Sequence, residues 1–117
     1  MRFSARVVSG SGEAKKQNVP TINLHVEDVP GELEHGIYAC RVLSGLPAVM
    51  HYGPRFMHKL PVSCEVHLLD TTVSQPPASL SIEVVKRIRD VADFSSTDAL
   101  KEAIQNDLEA ARAILNA

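Results

Sequence analysis

The 117-residue sequence has no tryptophan, only two tyrosines and three phenylalanines, and no excess of basic residues, since its formal net charge is −2. Nucleic-acid binding usually depends on a basic surface and often on stacking aromatic rings, so the composition argues against a nucleic-acid partner. No apolar run approaches the ~18 residues of a membrane span. The N-terminal MRFSARVVSGSG also lacks the apolar core of a signal peptide. We therefore expect a cytoplasmic protein with no membrane partner.

Cysteine is equally scarce. Cys40 and Cys64 are too few for a disulfide framework and form no CxxC motif. Each lies in an apolar-rich run, which predicts two buried free thiols in a reducing compartment. The five histidines include no HxxxH pair, and no serine lies in a GxSxG elbow. A zinc site and a hydrolase triad therefore have no support.

The first part of the chain, as far as about Arg89, contains short β-like runs separated by glycine and proline. The runs are Phe3–Val8, Thr21–Val26, Gly36–Leu43, Ala48–Tyr52, Val62–Leu69 and Leu80–Ile88. No helical crossover separates them, which favours an antiparallel sheet or small barrel over a parallel sheet. The length predicts a single domain over 1–117, with its strands within 3–89 and a tight hairpin at Ser44-Gly45.

The last part of the chain reads as one amphipathic helix over about 96–116. Its apolar residues recur at intervals of three and four, at Leu100, Ile104, Leu108, Ala111 and Leu115. Ser95 is the predicted N-cap, with Asp98 in the first turn. The stripe is expected to pack on the sheet.

Three groups of polar residues are candidates for chemistry. In VPTINL, Thr21 and Asn23 share a strand face, where they are either solvent-exposed or hard-oxygen donors for magnesium and phosphates. In VSCEVHLLD, Ser63, Glu65 and His67 share a face, which is either a solvated surface or the setting of a general base at Glu65.

The third group is the loop SGSGEAKKQN. Gly10 and Gly12 would let backbone N–H groups approach phosphates, and Lys16 would add positive charge, although an ordinary solvated loop explains the same residues. Near the end of the β-like region, RIRD places Arg87 and Arg89 on one strand face, either as a weak anion site or as a plain surface.

The motifs of the chain follow one another in this order: a glycine loop, PT-x-N, GIYACRV, a glycine-bearing turn, EVHLLD, RIRD and F-x-S before a terminal helix. In this order they resemble the riboflavin kinase (flavokinase) family. This family also supplies the C-terminal half of bacterial bifunctional FAD synthetases. The resemblance runs from Val7 to Leu115. It implies a mainly β fold, a six-stranded antiparallel (split) β-barrel with a C-terminal helix. It also implies transfer of the ATP γ-phosphate to the 5′-hydroxyl of riboflavin, giving FMN and ADP.

The resemblance also implies roles for particular residues. Thr21 and Asn23 match the residues that bind Mg²⁺ and nucleotide phosphates, and Glu65 matches the catalytic glutamate. Gly10 and Gly12 match the loop over the nucleotide, which Lys16 follows. Arg89 matches an arginine beside the flavin-side loop. The partners would then be riboflavin, FMN, ATP and ADP, bound by a monomer.

The chain departs from the family pattern at several positions. Glu13 stands where an arginine is common, Asn18 replaces a glycine, and Val91 replaces a glutamate. A Tyr-Gly pair after LLD is missing. The alternatives are therefore a catalytically weak or inactive flavin- or nucleotide-binding module of the same fold, or a plain interaction domain.

Overall fold

The first part of the chain folds into one curled antiparallel sheet, in a computed structural model that describes residues 1–8, 21–42, 45–55, 60–69 and 77–116. Six strands are present among these residues: β1 Arg2–Arg6, β2 Thr21–Leu24, β3 Gly36–Val42, β4 Leu46–Arg55, β5 Leu60–Leu68 and β6 Ser79–Arg89. Their order across the sheet is β1-β6-β3-β4-β5-β2. This confirms the prediction of a mainly β fold with six antiparallel strands.

The two edges of the sheet meet at one end. Val7, just after β1, forms a bridge with Leu24 of β2, and the Val8 N–H donates to the Asn23 carbonyl at 2.8 Å. The His25 N–H donates to the Arg6 carbonyl at 2.9 Å. The strands therefore form a half-barrel, which fits the split barrel expected from the sequence.

One difference from the predicted strands has a physical cause. The predicted run Ala48–Tyr52 is shorter than β4, because Pro47 and Pro54 lie near the ends of the strand and are tolerated there. Pro54 coincides with a shift in register against β5.

The β3–β4 hairpin is present, and Gly45 adopts the positive φ of 116° that favours glycine. Ser44 lies outside the described residues.

The concave face of the sheet encloses the larger hydrophobic core. Its fully buried members include Met50, Val66, Leu80 and Ile82. Cys40 and Cys64 belong to the same core and are free thiols, as predicted. Burial raises the pKa of both thiols to about 12, so neither thiolate forms near neutral pH.

Helix α1, Thr97–Leu115, packs on the opposite face of the sheet. Ala111 and Leu115 from the predicted stripe are buried there against Ile37, Ala39 and Val49. Among the described residues, no helix combines the length and the apolarity that crossing a membrane requires.

The predicted N-cap of this helix was wrong by one residue. Ser96, not Ser95, is the cap: its backbone is extended, and its side-chain oxygen accepts the Ala99 N–H at 3.1 Å. The cap hydroxyl must reach the N–H three residues later, and only Ser96 does so here. Asn116 ends the helix in the left-handed conformation.

Candidate active site

A row of directly paired residues crosses five strands on the face that carries α1. Asn23 of β2 pairs with Glu65 of β5, Glu65 with His51 of β4, His51 with Ile37 of β3, and Ile37 with Arg89 of β6. Directly opposite residues of antiparallel strands project from the same face, with Cβ atoms about 5 Å apart. The register therefore brings Asn23 beside Glu65, and it places Arg89 at the other end of the same row.

Thr21 lies two residues before Asn23 on β2 and is paired with His67 of β5. The Thr21 Oγ1 and His67 Nδ1 atoms are 3.3 Å apart, which is hydrogen-bonding distance. The side chains of Thr21, Asn23, Glu65 and His67 therefore form one polar cluster across β2 and β5. The sequence predicted that Thr21 and Asn23 share a face, and the register confirms it.

Glu65 is buried, with only 6% of its surface exposed. The alternative of a fully solvated strand face is therefore wrong for this residue, although Asn23 itself is exposed. Burial of a carboxylate is costly unless polar groups compensate for the loss of water, so a buried glutamate beside two histidines and an asparagine is an unusual arrangement. Such arrangements are typical of functional sites.

The row lines a pocket between the sheet and α1. Its polar wall consists of His51, Glu65, His67, Arg89 and Asp107. Its apolar wall includes Ile37 and Val49 from the sheet, Phe94 from the connecting segment, and Leu100 and Ile104 from α1. A pocket that is lined mostly by apolar residues and has a few convergent polar groups suits a largely apolar small molecule.

Arg89 is held in place by contacts to two different segments. Its Nε and Nη2 donate to the two carboxylate oxygens of Asp107 at 2.8 and 2.7 Å, and its Nη1 donates to the Asp90 carbonyl at 3.0 Å. Its guanidinium carbon lies 5.5 Å from the centre of the Phe94 ring, within cation–π range. Arg89 therefore connects β6, the segment that follows it and α1 at the pocket wall.

The prediction that Arg87 and Arg89 share a face was wrong. Arg89 lies opposite Ile37, whereas Arg87 lies opposite Tyr38, because a register shift falls between these two residues of β3. Neighbouring strand residues project from opposite faces, so the irregularity separates the two arginines. Arg87 instead donates from Nη2 to the His35 carbonyl at 2.5 Å.

Three residues of the pocket were missed by sequence reasoning: His51, Phe94 and Asp107. Asp107 did leave a signal, because a charged residue directly before Leu108 falls on the apolar stripe of the helix. His51 left none, since its place opposite Glu65 depends on strand register. The predicted nucleotide-loop residues Gly10, Gly12 and Lys16 lie outside the described residues, as do Glu13 and Asn18.

The chemistry of the cluster fits a hard divalent cation. The Thr21 hydroxyl and the Asn23 amide carbonyl are oxygen donors, and they lie beside a buried carboxylate. Among the described residues, no group of three or more His, Cys, Asp or Glu side chains is arranged to hold a metal. Magnesium suits a site of this kind, since it keeps several waters and uses few protein ligands together with substrate phosphates.

Comparison with known families identifies related proteins. The family model described as Flavokinase, riboflavin kinase, matches residues 1–115. The bifunctional riboflavin kinase/FMN adenylyltransferase of Escherichia coli K12 is 32% identical over 115 residues, which cover 94% of this chain and 36% of that protein. The protein of the same name from Buchnera aphidicola is 27% identical, covering 97% of this chain and 38% of its own length. The chain thus spans less than two-fifths of these relatives.

Among solved structures, the crystal structure of a macrolide-efflux protein from Streptococcus pneumoniae superimposes with a TM-score of 0.76. The match covers 95% of this chain and 38% of that one, at 23% identity, and it shows the fold alone. The family match spans nearly the whole chain, from residue 1 to residue 115. The chain belongs to the riboflavin kinase (Flavokinase) family.

Proposed function

We propose that this chain is a riboflavin kinase, which transfers the γ-phosphate of ATP to the 5′-hydroxyl of riboflavin and gives FMN and ADP. Membership of the Flavokinase family supports this activity, as do relatives named as riboflavin kinases. The observation that carries the proposal is the pairing of Asn23 with Glu65, beside Thr21 and an apolar pocket.

Glu65 is the proposed general base. As the 5′-oxygen forms its bond to the γ-phosphorus, the bond from that phosphorus to the β,γ-bridging oxygen breaks, and the hydroxyl proton passes to the Glu65 carboxylate. Phosphoryl transfer depends mainly on positioning and charge neutralisation, so a carboxylate that also orients the hydroxyl serves both needs. Glu65 lines the pocket and is paired with Asn23, and this position between the pocket and the Thr21–Asn23 cluster supports its proposed role.

Thr21 and Asn23 are the proposed protein ligands of Mg²⁺. When bound with ATP, the cation supplies charge neutralisation at the phosphate oxygens. The contact between the Thr21 hydroxyl and His67 Nδ1 fixes the direction of the threonine oxygen. If the hydroxyl donates its proton to this nitrogen, the lone pairs of its oxygen remain available to a cation.

The pocket between the sheet and α1 is the proposed flavin site. Its apolar wall, which includes Phe94, suits the isoalloxazine ring, and Arg89 lines the same pocket. In this arrangement Arg89 is a substrate-site residue whose direct contacts hold the pocket together. The roles of Gly10, Gly12 and Lys16 at the nucleotide stay predictions, as do Mg²⁺ as the metal, a monomeric state and a cytoplasmic location.

A weakly active or inactive binding module is the second candidate. The observation that favours it is the composition of the nucleotide loop, where Glu13 stands in the place of a common arginine and Asn18 in the place of a glycine. A carboxylate near phosphates would weaken ATP binding by like-charge repulsion. This candidate predicts flavin binding without turnover.

The test is to incubate the purified chain with riboflavin, ATP and Mg²⁺ and to measure FMN and ADP by chromatography. Equal amounts of FMN and ADP, with neither formed when EDTA is added, would support the kinase. Riboflavin binding without FMN, in a folded protein, would support the binding module. If the folded protein shows no riboflavin binding and no turnover, both candidate functions are rejected.

A further inference from the structure

Asp107 is a buried carboxylate on the apolar side of α1, with 6% of its surface exposed. It lies between Ile104 and Ala111 on the side that packs against the sheet, where apolar side chains would stabilise the helix better. A buried carboxylate is costly unless it is paired and hydrogen-bonded, and both oxygens of Asp107 accept from Arg89. Apolar packing of the helix alone therefore does not account for a charged pair at this position.

Arg89, the partner of Asp107, helps to shape the pocket. A guanidinium group has five N–H donors. Within the part of the chain that the structure describes, Asp107 accepts one hydrogen bond from Nε and one from Nη2, and the Asp90 carbonyl accepts one from Nη1, which leaves two donors. The guanidinium plane is fixed by these bonds, and the Phe94 ring lies against it. Arg89, Phe94 and Asp107 all line the pocket, so one carboxylate holds a wall built from three segments of the chain.

We infer that Asp107 is a positioning residue for the flavin. By holding Arg89, it sets the direction of the two remaining N–H donors and the place of the Phe94 ring before substrate arrives. This inference rests on the proposed function. A prearranged pocket wall improves binding, whereas the proposed phosphoryl transfer takes place at Glu65, three pairings along the row from Arg89. Loss of Asp107 should therefore raise KM for riboflavin and leave kcat nearly unchanged.

The competing explanation is that Asp107 only fastens α1 to the sheet. Ser96 offers a matched control, because its hydroxyl caps the same helix but lies outside the pocket lining. Ser96→Ala weakens the helix without touching Arg89. If helix stability alone mattered, Ser96→Ala and Asp107→Asn would change KM alike once their losses of stability are taken into account.

The experiment measures kcat and KM for riboflavin, and Kd for riboflavin from quenching of its fluorescence, in wild type, Asp107→Asn, Arg89→Lys, the double variant and Ser96→Ala. Lysine keeps the charge of Arg89 but cannot make the bidentate pair. We expect Asp107→Asn and Arg89→Lys each to raise KM and Kd roughly tenfold, which corresponds to about 1.4 kcal/mol of binding. The double variant should be no worse than either single one, because the two residues act as one unit.

An unchanged KM and Kd in Asp107→Asn would overturn the inference, as would a fall in kcat alone or an equal rise in Ser96→Ala. If circular dichroism shows that Asp107→Asn is unfolded, Arg89→Lys carries the same test. If wild type binds riboflavin but makes no FMN, the proposed kinase fails, while the Kd comparison still decides the role of Asp107.

Discussion

Asn23 and Glu65 lie directly opposite each other on adjacent antiparallel strands, although they are far apart in the sequence. One is exposed and the other is buried. The pair therefore joins a solvent-accessible amide to a carboxylate that lines the pocket. Under the proposed function, a phosphate of ATP and a hydroxyl of the flavin would meet beside this pair.

Asn23→Ala should weaken the use of Mg²⁺ while leaving the fold intact, because Asn23 is exposed and its side chain is not part of the buried core. We expect the magnesium concentration that gives half-maximal FMN formation to rise roughly tenfold, as for the loss of one polar partner at a metal site. Initial rates measured over a magnesium titration check this. Ser81→Ala, an exposed strand position on β6, serves as the control and should give the wild-type curve.

Asp28 should contribute to stability in a defined range of pH. Its carboxylate accepts hydrogen bonds from the Arg6 side chain and from the Arg6 backbone N–H, which lower the pKa of Asp28 from 3.8 to about 2. A carboxyl group whose pKa is lowered by folding stabilises the protein above the unfolded value, and this contribution is lost as pH falls through the folded value. Asp28→Asn should therefore be less stable than wild type above about pH 4, and the difference should close towards pH 2.

Urea unfolding at several pH values measures this difference. Glu32→Gln, which changes an exposed carboxylate in the next loop, is the control. It should change the free energy of unfolding little at any of these pH values. A difference between Asp28→Asn and wild type that stays constant down to pH 2 would contradict the assignment.

Ser96→Ala should lower the free energy of unfolding by about 1 kcal/mol, because it removes the acceptor for the Ala99 N–H at the start of α1. Ser95→Ala should have much less effect, since Ser95 precedes the cap. Thermal and denaturant unfolding of the two variants side by side decide between the two serines. An equal loss in both would mean that the cap hydrogen bond is not what holds this end of the helix.

The sequence predicted the architecture well because its patterns are local. Alternation marked the strands, the spacing of Leu100 to Leu115 marked the helix, and the shared face of Thr21 and Asn23 followed from their separation by two residues. The polar cluster was predicted only through the family resemblance, since nothing local shows that β2 lies beside β5. β2 and β5 are neighbours in the sheet, although β3 and β4 lie between them in the sequence.

Other features were beyond reach of the sequence because they depend on register. The irregularity between β3 and β6 sends Arg87 and Arg89 to opposite faces, and a two-residue period cannot foresee it. The pairing of His51 with Glu65 and of Arg89 with Asp107 depends on how four separate elements are aligned. The pocket is a product of that alignment, so its lining could not be read from any one segment.

The central claim is that Glu65 acts as the base of a riboflavin kinase, and the most direct measurement is kcat for FMN formation in Glu65→Gln. Glutamine keeps the size and shape of the side chain but cannot accept the proton. We expect kcat to fall by about 10²- to 10⁴-fold with the circular dichroism spectrum unchanged, while Glu83→Gln, a strand carboxylate paired with Arg2, stays near wild type. A folded Glu65→Gln variant that makes FMN at the wild-type rate would contradict the account.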